Sequence, residues 1–133
     1  VKHTPMSEPF SKKLSSLISD TSEDLGLKIH NGGTVISIEG PRFSTKAESL
    51  LFKRLGCDII NMTTSTESIL SKEAGIPYQA IAMVTDYDCW KETFEEVSME
   101  IIQKAMKENS SKIKFLLERV IEKLGNSDVK GLN

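Results

Sequence analysis

Little cysteine, no long apolar run and no basic stripe mark this chain, and each shortage closes off a class of protein. Cys57 and Cys89 are the two cysteines, far apart and in no metal-like spacing. A disulfide framework and a metal site are therefore not expected, and reduced thiols in a reducing compartment are. No apolar run approaches the length of a transmembrane helix, and the N-terminus does not read as a signal peptide, so no membrane partner is expected. The expected compartment is the cytoplasm by elimination, with the nucleus admitted as a second. The formal net charge is −2 with no clustering of Lys and Arg, which argues against a nucleic-acid partner. There is no internal repeat, no low-complexity segment and no initiating Met. The start at Val1-Lys2-His3 points to a processed or partial chain.

What is present is the mixture of an ordinary folded domain. The 133 residues are 38% apolar and 27% charged, enough to bury a core rather than remain disordered. Residues 1–10 are irregular, with Pro5 and Pro9 as breakers. A helix is expected over 11–25, where Leu14, Leu17, Ile18 and Leu25 share a face and Gly26 ends it. Residues 27–30 read as a short strand and 34–38 as a second. Asn31-Gly32-Gly33 between them signals a turn, either of a hairpin or of a loop between strands that do not pair. Thr45-x-x-Glu48 fits a capping box opening a helix whose apolar side is Leu50, Leu51, Phe52 and Leu55, closed by Gly56. A strand over 58–62, a helix over 66–74 ended by Gly75, and a strand over 78–84 follow. A long helix over 98–124 carries Ile102, Ala105, Met106, Asn109, Ile113, Leu116, Leu117, Val120 and Leu124 at helical period, with a kink or break admitted at Asn109-Ser110-Ser111. Strands alternating with helices over short connections predict an α/β fold with a largely parallel sheet.

The chemistry is expected where the 78–84 run ends, at Thr85-Asp86-Tyr87-Asp88-Cys89-Trp90. Ligands of open α/β sheets bind beyond the carboxyl ends of the strands. Two carboxylates and a hydroxyl there suit a small polar ligand, and a buried carboxyl can also pass a proton. The plainer alternative is a solvated acidic turn capped by a surface Trp.

Three motifs in order, Glu39-Gly40-Pro41-Arg42-Phe43, Asn61-Met62-Thr63-Thr64 and Thr85-Asp86-Tyr87-Asp88-Cys89-Trp90, together closely resemble the trimeric purine nucleoside phosphorylases, and among them the members that cleave 5′-methylthioadenosine. The resemblance runs from about His3 into the long helix. It implies the C-terminal portion of a nucleoside-phosphorylase-like three-layer α/β/α fold with a mixed central sheet. It implies phosphorolysis of 5′-methylthioadenosine to adenine and 5-methylthioribose 1-phosphate, in purine and methionine salvage, by a homotrimer. Inorganic phosphate is a co-substrate, and no cofactor or metal is needed. By position, Phe43 lies against the purine with Ser44 beside it. Met62 lies under the ribose, Thr63 reaches phosphate, and Thr85 supports the base site. Asp86 faces N7 as the catalytic acid, and Asp88 helps fix the 6-amino side. Met99 and Ile102 line the methylthio pocket, and His3 serves a neighbouring subunit's pocket.

The chemistry agrees with those roles. Breaking an N-glycosidic bond leaves negative charge on the purine, and an acid at N7 neutralises it. A carboxylate accepts from a 6-amino group and repels a 6-oxo group, so Asp rather than Asn at position 86 argues for 6-aminopurines. Taken singly, each residue has a plainer role: Phe43 as core, Met62 as a strand-end filler, Thr63 as a turn or cap residue, Met99 and Ile102 as part of the helical stripe, His3 as a terminal polar residue. Arg42 is expected to pair with Glu39 or with a carboxylate across a subunit contact.

The chain departs from the family pattern in three places. The Gly-rich phosphate loop and the Arg-His pair of the family's N-terminal half are absent, and Gly32-Gly33 does not replace them. Ser65-Thr66 stands where an apolar residue and Pro are usual, and Gln103 where an apolar residue is. Residues 1–133 are thus expected to be the C-terminal part of a single phosphorylase domain, catalytically incomplete alone. A phosphorylase for other purine nucleosides, or a non-catalytic purine-binding or oligomerising fragment, are the alternatives.

Overall fold

Helix α1, Lys12–Asp24, begins where the Ser11 hydroxyl accepts the Leu14 N–H at 3.3 Å, satisfying one orphan donor of the first turn. It ends in a Schellman motif: Gly26 N–H bonds Glu23 O and Leu27 N–H bonds Ser22 O, both at 2.9 Å, with Gly26 at φ 64°. The same pair of bonds closes α2 (Lys46–Arg54) at Gly56 and α3 (Thr64–Ala74) at Gly75. These details come from a computed structural model, which describes residues 3–91 and 98–125.

The described residues divide into two compact units. One holds residues 3–31, 66–81 and 110–125, and the other residues 32–65, 82–91 and 98–109. In the first unit the apolar core is Leu116 and Val120 of α4 (Met99–Gly125), at 1% and 5% exposure. Thr21, Ser22 and Ser68 are also buried there, with Thr21 Oγ1 donating to Leu17 O and Ser22 Oγ to Leu27 O. Phe10 stacks on Tyr78 with centroids 6.0 Å apart, and Ser11 N–H bonds Tyr78 O. Helix α4 continues through the expected break; Asn109 Nδ2 donates to Ala105 O at 3.0 Å, so its side chain is engaged within the helix. On the expected stripe Met106 and Leu117 are exposed. Among the described residues no helix is long and apolar enough to cross a membrane.

The second unit is built on a β–α–β element. Strands β1 (Val35–Ser37) and β2 (Ile59–Asn61) pair in parallel, with Val35 opposite Ile59 and Ser37 opposite Asn61, and α2 is their crossover. No hairpin forms. Residues 27–30 are not a strand, because the Asn31-Gly32-Gly33 turn is tied elsewhere. Asn31 bonds Ser15 and Ser19 of α1, and Leu27 is held by the α1 cap. Thr34 N–H donates to Asp58 Oδ2 at 2.7 Å, and a Cβ on Gly33 would stand 3.1 Å from that oxygen, so only glycine admits this approach comfortably. The run 78–84 is likewise no strand; β1 and β2 make the one sheet among the described residues, and it joins neither. A strand exists only through a neighbour's backbone, and apolar composition cannot supply that.

Helix α2 shows the expected capping box: Thr45 accepts the Glu48 N–H and Glu48 accepts the Thr45 N–H at 2.8 Å. Of its expected apolar side Leu50, Leu51 and Leu55 are exposed and Phe52 is half-buried, while Ser49 is buried. Arg42 pairs not with Glu39 but with Glu48, through two bonds of 2.9 and 2.7 Å, and also donates to Phe43 O. The Arg42 guanidinium, then the Thr45 donors, hold the Glu48 carboxyl at about 2, below its ordinary 4.5. A carboxyl lowered on folding stabilises fully above its unfolded value, and that contribution is lost as pH falls through the folded one. Wild-type chain is therefore expected to lose α2 anchoring between about pH 5 and about pH 2, and Glu48→Gln to lack that step. Circular dichroism across this range checks it; identical profiles would remove Glu48 as the anchor.

Candidate active site

The carboxyl ends of β1 and β2 open into a cavity of about 130 Å³ within the second unit. Its lining is Ile38, Phe43, Ser44, Ile60, Asn61, Met62, Thr85, Asp86, Asp88 and Ile102. A cavity of ~150 Å³ takes one small aromatic molecule, so the space suits a single ring system. Ile60 and Asn61 of β2, with Ile38 just after β1, line it from the strand side. Phe43 and Ser44 come from the loop that Arg42 and Glu48 hold against α2, which fixes the Phe43 carbonyl. Met62 follows β2 directly, and a Cβ on Gly40 would stand 2.7 Å from its Sδ. Glycine at position 40 thus leaves the space in which the thioether sits.

The acidic segment forms the polar wall. Thr85 Oγ1 donates to Asp86 Oδ2 at 2.6 Å, and the Asp88 N–H donates to Asp86 Oδ1 at 2.8 Å. That second bond closes a tight turn in which Asp88 takes φ 56°, the one positive value at a non-glycine among the described residues. Ser44 Oγ lies 3.1 and 3.0 Å from the two Asp88 oxygens and donates to them. Both carboxyls are half-buried, and each oxygen that accepts one of these bonds retains a further lone pair. The pair can therefore accept N–H groups from a ring, or donate to a ring nitrogen when one carboxyl is protonated. Among the described residues no group of three His, Cys, Asp or Glu side chains is placed to hold a metal ion.

Of the residues singled out from sequence, Phe43, Ser44, Met62, Thr85, Asp86, Asp88 and Ile102 meet around this one cavity. Thr63 and Met99 are exposed and outside its lining, and His3 is exposed and belongs to the first unit. Trp90 is also outside the lining and packs on Lys53 and Tyr87. Ile38, Ile60 and Asn61 line the cavity without having been singled out. Asn61 stood in a quoted motif, but the two isoleucines read only as strand interior, and nothing local separates a core Ile from one that lines a cavity. Asn61 also bonds Ser37 and Thr64, while Ser37 Oγ accepts the Ser65 N–H, so a polar chain joins both strand ends to the start of α3.

Comparison with known proteins identifies relatives of the chain as a whole. Residues 1–122 match the model of the phosphorylase superfamily. The chain is 48% identical over 128 residues to S-methyl-5′-thioadenosine phosphorylase of Danio rerio, and 51% identical over 128 residues to that of Xenopus tropicalis. Each match covers 96% of this chain and 46% of the relative, so the chain spans about half the length of the curated relatives it matches. A solved structure of methylthioadenosine phosphorylase from Schistosoma mansoni in complex with adenine superposes with a TM-score of 0.90 at 32% identity, covering 96% of this chain and 50% of that one. The same enzyme in complex with tubercidin superposes with a TM-score of 0.88 at 31% identity, covering 96% of this chain and 50% of that one.

Proposed function

This chain belongs to the phosphorylase superfamily, and from that membership we propose that it forms the base- and ribose-binding portion of an S-methyl-5′-thioadenosine phosphorylase. The observation that carries this reading is the pair of carboxyls, Asp86 and Asp88, on one wall of a ring-sized cavity that Phe43 and Met62 also line. In the proposed reaction a phosphate oxygen bonds to C1′ of the thioribose as the C1′–N9 bond breaks. The bonding electrons stay on the purine, and protonated Asp86 donates its proton to N7, so that neutral adenine leaves. The second oxygen of Asp86 accepts from the 6-amino group, and Asp88, oriented by Ser44, helps fix that side. Phe43 lies against the ring, Met62 beneath the ribose, and Ile102, with Met99, toward the methylthio group. Thr63, exposed ahead of α3, is the phosphate contact this chain offers, and His3 serves the pocket of a neighbouring subunit.

A phosphate dianion is held tightly only by several donors or cations. The parent protein is therefore proposed to complete that site outside these residues, to act as a homotrimer in purine and methionine salvage, and to reside in the cytoplasm. Phosphate is a substrate here, and no cofactor or metal takes part. The test measures adenine release from 5′-methylthioadenosine, with and without phosphate, by this chain and by a full-length polypeptide that carries it. Phosphate-dependent release by the longer polypeptide alone is the expected result. A preference for inosine would reassign the substrate, and adenine binding without turnover in either would leave a purine-binding module.

A further inference from the structure

The acidic segment has two faces. Asp86 and Asp88 line the cavity, while Tyr87 and Trp90 do not. On that outer face cations and rings alternate. Lys53 Nζ of α2 lies 3.4 Å from the Trp90 ring centroid, Trp90 meets Tyr87 edge-on at 6.4 Å and 86°, and Lys91 Nζ lies 3.9 Å over the Tyr87 ring. Ser49, one turn before Lys53 and so on the same face of α2, is buried. Cys89 Sγ is 3.4 Å from Ser44 O. Lys53 of α2 thus meets the acidic segment at Trp90, and Ser44, just before α2, meets it at Cys89 and Asp88. The turn needs backing, because Asp88 sits at φ 56°, where a residue with a Cβ is strained.

We infer that Lys53 is a positioning residue: its ammonium clamps the Trp90 ring and so sets where Asp86 and Asp88 stand in the cavity. A cation over an indole face is the strongest contact of its kind, and Arg makes it as well as Lys. Lys53 is not among the cavity-lining residues and acts through Trp90. The consequence for ligand binding rests on the purine reading of the cavity, whereas the clamp does not.

Cys89 makes the clamp measurable without a ligand. Burial, and then the Asp88 charge, push its thiol up, so it alkylates slowly while the segment is seated. Cys57, just beyond the α2 end, is an internal control, since fraying of α2 would expose it too. Alkylation of both thiols in the 133-residue chain is followed by mass spectrometry in wild type, Lys53→Met and Lys53→Arg. The emission of Trp90, the one tryptophan, is read in parallel with an adenine titration. In Lys53→Met the Cys89 rate is expected to rise about two- to tenfold with Cys57 unchanged, the emission to shift, and adenine to bind weaker by a similar factor. Lys53→Arg is expected to restore all of these. Equal acceleration at both thiols would overturn the inference in favour of simple helix support, and so would no change at either. Absence of adenine binding in the wild type, with the Cys89 response intact, would leave the clamp standing and remove the purine reading instead.

Discussion

Asp86→Asn is expected to lower phosphate-dependent adenine release by a full-length polypeptide carrying this segment by about 10²–10⁴-fold, mainly in kcat. The substitution keeps the volume of the side chain and the acceptor that holds the Asp88 N–H, so the turn at Asp88 retains its shape. What it removes is the proton that neutralises the departing purine. It also turns an acceptor toward the 6-position into a donor. The ratio of inosine to 5′-methylthioadenosine turnover should therefore rise even as both rates fall, because discrimination by a buried polar group comes from leaving the wrong partner unpaired. Steady-state kinetics with both nucleosides separates the two effects. Unchanged kcat for 5′-methylthioadenosine would take Asp86 out of the mechanism, and an unchanged ratio would take it off the 6-position.

Leu116→Ala is expected to destabilise the 133-residue chain by about 2–5 kcal/mol in urea denaturation, the usual cost of a buried Leu side chain and the cavity it leaves. Leu116 is 1% exposed and Val120 5%, and these are the buried apolar side chains among the described residues. Set against a typical domain stability of ~5–15 kcal/mol, a loss of this size from so small a core removes much of the cooperativity of the first unit. Ile121, on the same helix but 65% exposed, provides the contrast: Ile121→Ala should stay within about 0.5 kcal/mol. Similar effects at both positions would mean that α4 does not pack through the Leu116 face.

The candidate site was legible to the extent that its residues stood together in short motifs. Phe43 with Ser44, and Thr85 with Asp86 and Asp88, are each neighbours in sequence, and the turn that holds them is closed by bonds within the segment or to the next motif. Arg42 shows the boundary of that legibility. Its partner is a carboxylate, as its charge required, but Glu48 rather than Glu39, because the capping box had already placed the Glu48 side chain beside the loop. Trp90 shows the other side of it: its partner, Lys53 of α2, lies far away in sequence, and nothing local to the acidic segment names it.

Local chemistry along the chain was sufficient for the helices. Ser11 and Thr45 as caps, the glycines at 26, 56 and 75 as stops, and the long period of α4 act within a turn or two of themselves, so they read correctly without a partner. The strands were another matter. Residues 27–30 and 34–38 had the composition and the turn of a hairpin, and 78–84 the composition of a buried strand, but pairing depends on which backbone arrives alongside. Asp58, reached only through α2, captured Thr34 and drew β1 into parallel register with β2. The apolar side of α2 was decided the same way, since period alone does not say which face a neighbour covers. Tertiary contact settled the cavity too, by bringing the ends of β1 and β2 under an acidic turn whose residues lie far from them in the chain.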